Sequence, residues 1–331
     1  MPLRQFLGAL VYDSRRFERD IRGRWDRIHN RSETITVNPD GPGVRCEWQW
    51  TSPVDYCRFV PCADVRLLRT ALGAWPIGFA DTVKESAHPE VTFLIGHRGR
   101  SRLPQLLLTL RSIAAQRDAA IECVVIEQAH AREVEHELPS WVRYIHQPAG
   151  EGDPYKRAQT FNAGAAAARG RILVLHDNDM LVPARYAAEI VARADEGWEA
   201  IDLKRFIFYL TEGETVRVLR EQTLHRDERS EVVIQNLHGG SVAITKDGYD
   251  AIGGFDEEFV GWGGEDLDFW ERAETLRATR FGYLPIVHLW HAPQPEKLHG
   301  NEAPAVKRYT ELAGVPAAER IARLKTRSAR R

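Results

Sequence analysis

This sequence first of all lacks a long apolar run. There is no uninterrupted stretch of roughly 18 apolar residues, so no segment is expected to span a bilayer. The opening MPLRQFLGALVYDSRRFERD holds an apolar segment too short, and too quickly followed by charge, for a secretory signal, which predicts a cytoplasmic protein. Cysteine is scarce. The four present, Cys46, Cys57, Cys62 and Cys123, are too irregularly spaced for a disulfide framework and make no CxxC pair for zinc. They read as free buried thiols, with a Cys57–Cys62 bridge as the alternative. An excess of either charge is missing too. Against 47 acidic residues stand 45 basic ones, a net charge of −2, and no general attraction to nucleic acid is expected.

Apolar material for a core is present. The 331 residues are 43% hydrophobic and 9% aromatic, enough for one large α/β domain or two ordinary ones. Residues 1–88 carry no recognisable chemistry and read as an accessory layer: an Arg-rich helical start, a polar NPDGPG loop, a CEWQWTSP patch and a mixed helical ADVRLLRTALGAW. Trp48 and Trp50 are expected there as core or interface residues. From Val91 the pattern changes. VTFLI predicts a buried strand, Gly96 a turn, the Leu-rich run after Pro104 a helix, and residues 121–126 a second strand, together a βαβ unit. Its first turn holds Arg98, Arg100 and Arg102. Their guanidinium forks suit phosphate oxygens, and a solvated basic loop reads equally well.

After a short strand at 142–146, DPYKRAQTFNAGAAAARG predicts a helix of small residues that packs closely on a sheet. Tyr155, Lys156, Arg157 and Asn162 lie near its start, where a base or phosphate meets a helix N-terminus. Next comes RILVLHDNDMLVP. Residues 172–175 make one buried strand that stops at His176-Asp177-Asn178-Asp179. In an open α/β sheet ligands bind at the carboxyl ends of strands, and two acids one residue apart repel unless something positive lies near. A divalent metal carrying phosphates fits, although a turn or a helix cap also accounts for Asp-x-Asp.

Downstream, residues 184–194 are predicted helical and 201–233 mixed strand and loop. LHGGSVAIT gives a backbone able to come close to something, followed by a strand. In GWGGED, Trp262, Gly263 and Gly264 form an elbow that opens a helix, with Glu265 and Asp266 in its first turn and Asp268 just after; dipole capping is the plain alternative. In HLWHAP, His288 and His291 converge if the chain turns between them. Carboxylate, imidazole and phosphate together suit Mn²⁺ better than the oxygen cage typical of Mg²⁺. The tail PAAERIARLKTRSARR reads as a basic helix fraying into solvent, with contact to an acidic or membrane surface as the minor reading.

FLIGHRGR, YKRAQTFNAG, HDNDMLVP, LHGGSVAIT, GFDEEFVGWGGEDLDF and HLWHAP, in this order, resemble the inverting β-1,4-galactosyltransferases and their bacterial relatives among the family 2 glycosyltransferases. The resemblance covers about residues 90–305 and sets a division into 1–88, 89–305 and a basic 306–331. It implies a GT-A fold, a nucleotide-binding α/β half joined to an acceptor-binding half, using a UDP-sugar and Mn²⁺ or Mg²⁺. Position by position, Asp179 and His291 match metal ligands, and His288 falls where the animal enzymes have methionine. Arg98, Arg100, Tyr155, Arg157 and Asp177 match nucleotide-binding positions. Asp266 matches the catalytic base, with Glu265, Asp268, Trp262, Gly263 and Gly264 shaping the acceptor site. Leu237, ahead of Gly240, stands where a tyrosine crowds the sugar's 2-position in the animal enzymes, so N-acetylgalactosamine stays open beside galactose; His238 replaces an aromatic. The acceptor is a saccharide, lipid-linked glycan, peptide or small molecule. A cation at the diphosphate and a carboxylate at the acceptor are what such a transfer needs. The competing readings are a retaining transferase or sugar-nucleotide enzyme, and a non-catalytic glycan-binding protein on the same fold.

Overall fold

Runs of β-branched and apolar residues become strands here, and the chain sorts them into two large sheets and a hairpin. The computed structural model describes residues 3–39, 41–47, 51–261, 263–293 and 302–328, so the readings made for Trp48, Trp50 and Trp262 lie outside the described residues.

The first helix, α1 (Leu3–Gly8), runs through a π turn at Ala9–Asp13 into α2 (Ser14–Asp20). The hairpin β1 (Ile35–Val37) and β2 (Val44–Cys46) follows, then β3 (Ser52–Pro53), α3 (Asp55–Phe59) and α4 (Ala63–Ala74). This region shares a core with what comes later. Phe17, Trp25, Leu67 and Leu68 are buried together with Phe206, Phe208 and Val287. All four cysteines are free, but only Cys123 is buried, and Cys62 is exposed. Cys62 precedes α4 in a left-handed conformation that turns the chain at the surface.

Alternating strand and helix signals then give β4 (Val91–His97), α5 (Leu103–Ala114), β5 (Ile121–Ala129), β6 (Val142–Pro148), α6 (Arg157–Ala167) and β7 (Ile172–His176). These strands are parallel, in the order β6-β5-β4-β7. The small residues of α6 do bring it onto the sheet: Ala158, Phe161 and Ala165 are buried with Leu94, Val124 and Ile126. Strand order reverses direction between β4 and β7, which opens a crevice at their carboxyl ends.

The chain continues through β8 (Met180–Leu181), α7 (Tyr186–Asp195), β9 (Ala200–Ile201), β10 (Lys204–Leu210), α8 (Glu212–Glu221), β11 (Ser230–Gln235), β12 (Ser241–Thr245), α9 (Lys246–Ala251), α10 (Glu265–Ala273), β13 (Leu284–His288), α11 (Pro304–Leu312) and α12 (Ala317–Ser328). Antiparallel β12 and β9 extend the first sheet, and the second has the order β3-β11-β10-β13-β8. The stretch expected as strand and loop therefore contains a helix, α8. Thr211 caps it by accepting from the Glu214 N–H at 3.3 Å, and only Thr215 and Val218 are buried, a stripe too narrow to stand out among its charges.

Among its described residues, which end at Ser328, the tail is held in place. Arg320 on α12 is 6% exposed and donates to Asp268 at 2.8 Å and Glu271 at 2.6 Å, while Arg308 and Arg327 meet Asp256 at 2.5 and 3.2 Å. Arg320 thus clamps α12 to α10, while Arg308 on α11 and Arg327 on α12 converge on Asp256. Removing one partner of a buried pair leaves the other charged and unsatisfied. Arg320→Ala is expected to lower the unfolding free energy in urea by about 3–5 kcal/mol; a change below about 1 kcal/mol, typical of a surface pair, would show that α12 is not held this way.

Candidate active site

The turn after β7 is held at every residue. The Asp177 N–H donates to the Gly240 carbonyl at 2.8 Å, and the Asn178 side chain meets His97 Nδ1 at 2.8 Å. Thr109 Oγ1 donates to the Asn178 carbonyl at 3.2 Å, and the Leu289 N–H to the Asp179 carbonyl at 2.8 Å. With the backbone pinned at three points and the Asn178 side chain at a fourth, the two acids diverge, and each finds its own cations.

Asp179 is buried at 2% exposure and turns toward β13. The antiparallel pairing of β8 with β13 sets His288 opposite Met180, next to Asp179. The chain then bends, and His291 comes to the same point as the sequence spacing allows. Ligand atoms of Asp179, His288 and His291 all lie within 4.8 Å of one another, with His288 Nε2 at 3.6 Å and His291 Nε2 at 3.3 Å from the carboxylate. His291 Nδ1 donates to the Ala292 carbonyl at 2.7 Å, which in a neutral imidazole leaves Nε2 as a lone pair aimed at the cluster. The Tyr209 ring stacks on His288 with centroids 4.3 Å apart and fixes its plane. Asp179 Oδ1 is buried without a hydrogen bond among the described residues. An orphaned carboxylate oxygen facing two imidazoles fits a divalent transition metal. Arg102, an arginine of the β4 turn not singled out from sequence as a ligand for this carboxylate, donates to Asp179 Oδ2 at 3.3 Å.

Asp177 turns the other way. Arg157, at the start of α6, donates through Nη2 to Asp177 at 2.8 Å and through Nη1 to Asp266, and Glu265 lies 3.7 Å from the same guanidinium. Burial opposes the charge of Asp177, yet Arg157 holds its carboxyl below the usual carboxylate range. Asp266 is raised by burial and by the Asp177 charge, and Arg157 pulls it back. Gly264 opens α10 at φ +86°, and a Cβ there would lie 2.6 Å from Tyr309 on α11, so the elbow needs glycine in both conformation and space. A Cβ on Gly239 would stand 2.5 Å from Asp266 Oδ2, so its absence lets the backbone run beside that carboxylate.

The remaining residues divide. Arg98 donates to the Gln128 carbonyl at 2.9 Å and the Asp153 carbonyl at 2.5 Å and lies over the Tyr155 ring at 5.8 Å, at the carboxyl end of β5. Arg100 turns outward to the Glu133 carbonyl and Glu137. Leu237 packs on the main core and His238 stacks on Trp270 with centroids 5.3 Å apart. The Gly263 N–H donates to buried Glu265 at 3.0 Å. Asp268 is 2% exposed and bound to Arg272 at 2.8 Å and to Arg320, because the helix turn after Asp266 carries it under α12.

Residues 100–250 match the model of glycosyl transferase family 2, and residues 228–289 match that of the N-terminal domain of galactosyltransferase. The protein is a glycosyltransferase. Its fold is GT-A, a mostly parallel α/β sheet packed with a second sheet through a shared core. The transferase resembles, at 15% identity, a mannosyltransferase from Pyrobaculum calidifontis solved with GDP-Man and Mn²⁺, over 77% of this chain and 78% of that one, with TM-score 0.42. It also resembles, at 16% identity, the catalytic domain of Drosophila β1,4-galactosyltransferase 7 solved with xylobiose, over 58% of this chain and 64% of that one, with TM-score 0.32. The chain thus spans less than two thirds of the latter, and both likenesses are too distant to bear on the chemistry. The search of curated proteins returned no match. Among the described residues of the transferase, no helix is long and apolar enough to cross a membrane.

Burial and the Asp266 charge push Glu265 from 4.5 to about 7, against the pull of Arg157. The folded transferase therefore binds more protons than the unfolded chain between pH 4.5 and about 7, so this group lowers stability as pH rises through that window. Glu265→Gln abolishes the ionisation. Its unfolding free energy relative to the parent is expected to grow across that range in urea titrations, and parallel curves would contradict the burial of an ionising Glu265.

Proposed function

We propose that the transferase moves a galactosyl or N-acetylgalactosaminyl group from a UDP-sugar to an acceptor hydroxyl with inversion, in a divalent-metal-dependent reaction. The observation that carries this reading is the division of one turn: Asp179 faces His288 and His291, while Asp177, one residue-pair away, joins Arg157 and Asp266. This division supports a reading with the diphosphate on the Asp179 side and the acceptor on the Asp266 side of one backbone turn.

Asp179, His288 and His291 would hold Mn²⁺ or Mg²⁺, which when bound supplies positive charge for the departing diphosphate. Arg102 reaches Asp179 and Arg98 lies over Tyr155, and their guanidinium groups suit phosphate oxygens. Asp266 serves as general base. It takes the proton of the acceptor hydroxyl as that oxygen bonds to the sugar C1 and the bond from C1 to phosphate oxygen breaks, UDP leaving with the electron pair. Attack from the face opposite UDP inverts C1. Because the ligated diphosphate is already a good leaving group, no general acid is required. Arg157 pulls the Asp266 carboxyl toward its ionised form and orients it, and Leu237 lies near enough to the glycine pair to bear on the sugar's 2-position. A retaining reading draws no support from this layout, since Asp266 stands with Arg157 at the acceptor elbow.

A panel of UDP-sugars with Mn²⁺, followed by UDP release in the absence of acceptor, tests the donor and the metal. Slow hydrolysis of UDP-galactose or UDP-N-acetylgalactosamine is expected, lost on chelation and in Asp179→Ala. Asp266→Asn is expected to keep UDP binding while transfer falls by about 10²–10⁴-fold; near-parent transfer would remove Asp266 from its role. Because Arg157 pulls the Asp266 carboxyl down, Arg157→Gln is expected to move the acid limb of kcat/KM to higher pH. An unmoved limb would show that Arg157 serves the donor alone.

A further inference from the structure

Of the seven large hydrophobic side chains exposed among the described residues, four fall within six consecutive positions: Leu7, Leu10, Val11 and Tyr12. Such clustering is unlike the scattered apolar exposure that any surface shows. The residues lie where α1 passes through the π turn at Ala9–Asp13. A π turn is wider than an α turn, and it presents Leu10, Val11 and Tyr12 outward together. The opposite face of the same helix is committed to the protein: Ala9, Phe17 and Ile21 are buried.

Charge is sorted in the same sense. Asp13 and Asp20 are withdrawn, at 4% and 5% exposure, and the half-exposed Glu18 is paired with Arg66 through bonds at 2.6 and 2.7 Å. The arginines turn outward. Arg4, Arg15 and Arg22 are exposed along the helix, and Arg31 is exposed where its guanidinium lies against Gly8. The surface is an apolar centre with a guanidinium rim, with Asp13 and Asp20 hidden behind it and Glu18 taken up by Arg66.

We propose that this face docks on an anionic lipid bilayer, with Leu7, Leu10, Val11 and Tyr12 entering the boundary of headgroups and acyl chains and the arginines meeting lipid phosphates. A helix lying in the interface needs this combination of apolar face and basic rim, and it needs no spanning length. The rim also argues against a second copy of the chain as occupant, since two such faces would set arginines against arginines. The C-terminal arginines that the sequence offered for membrane contact are engaged elsewhere, Arg308, Arg320 and Arg327 being paired with Asp256, Asp268 and Glu271.

Flotation of the full chain with vesicles of phosphatidylcholine alone, or mixed with phosphatidylglycerol, tests this independently of any transfer activity. The parent is expected to float with the anionic vesicles and not with the neutral ones. The double substitution Leu7→Ser and Val11→Ser is expected to weaken that binding by about tenfold or more, with an unchanged thermal midpoint because both side chains already face water. Arg15→Glu with Arg22→Glu should weaken it as well, whereas Arg323→Glu with Lys325→Glu on α12 should not. The proposal fails if the parent stays unbound by anionic vesicles, or if the α12 reversal matters as much as the N-terminal one. It fails too if light scattering reveals a dimer, dispersed by the serine pair, in place of vesicle binding.

Discussion

Two carboxylates one residue apart, at the end of a buried strand, repel each other in a medium that screens poorly. Asp177 and Asp179 are in that position, and the surrounding structure is arranged to keep them apart. The backbone there is bound by Gly240, Thr109 and Leu289, and the Asn178 side chain by His97. These partners come from both sheets and from α5, so the division of the two acids depends on the sheets meeting along this line. Asp179 is turned to the histidines of β13 and its extension, and Asp177 to Arg157. The proposed chemistry follows from that separation.

The second sheet is what makes the turn two-sided. The short strand β8 leaves the first sheet immediately after Asp179 and pairs with β13, which brings His288 to the carboxylate. On the other side, α10 is placed by its glycine elbow against α11 and by the Asp268–Arg272–Arg320 cluster against α12. The base candidate Asp266 thus sits on a helix braced from behind by buried charge. Its own carboxylate remains half-buried beside Arg157.

Much of this was legible in the sequence because it is written in local patterns. The parallel strands announce themselves as short apolar runs between turn residues, and the acids at the end of β7 stand directly against the strand. Asp266 is marked by the glycines ahead of it. What could not be read depends on where distant segments meet. Arg98, Arg100 and Arg102 alternate along one turn, and only tertiary packing decides that Arg102 reaches Asp179 while Arg100 goes to Glu137. Asp268 looks from sequence like part of the acceptor wall, but its partner Arg320 lies 52 positions away. The same long-range pairing turned a tail read as loose into a clamp. Residues ahead of 89, which carry no motif, contribute β3 and a share of the apolar core because the second sheet would otherwise leave one face bare.

The central claim is spatial: a cation at Asp179 and the histidines on one side of the donor, with Asp266 on the other. Crystals grown with Mn²⁺ and UDP, measured for the anomalous signal of manganese, test it most directly. The account expects one manganese peak touching Asp179, His288 and His291, with the UDP diphosphate against it and the Asp266 carboxylate facing the far side of the sugar pocket. Manganese bound elsewhere, with Asp179 still turned to Arg102 and UDP outside the crevice between β4 and β7, would contradict it.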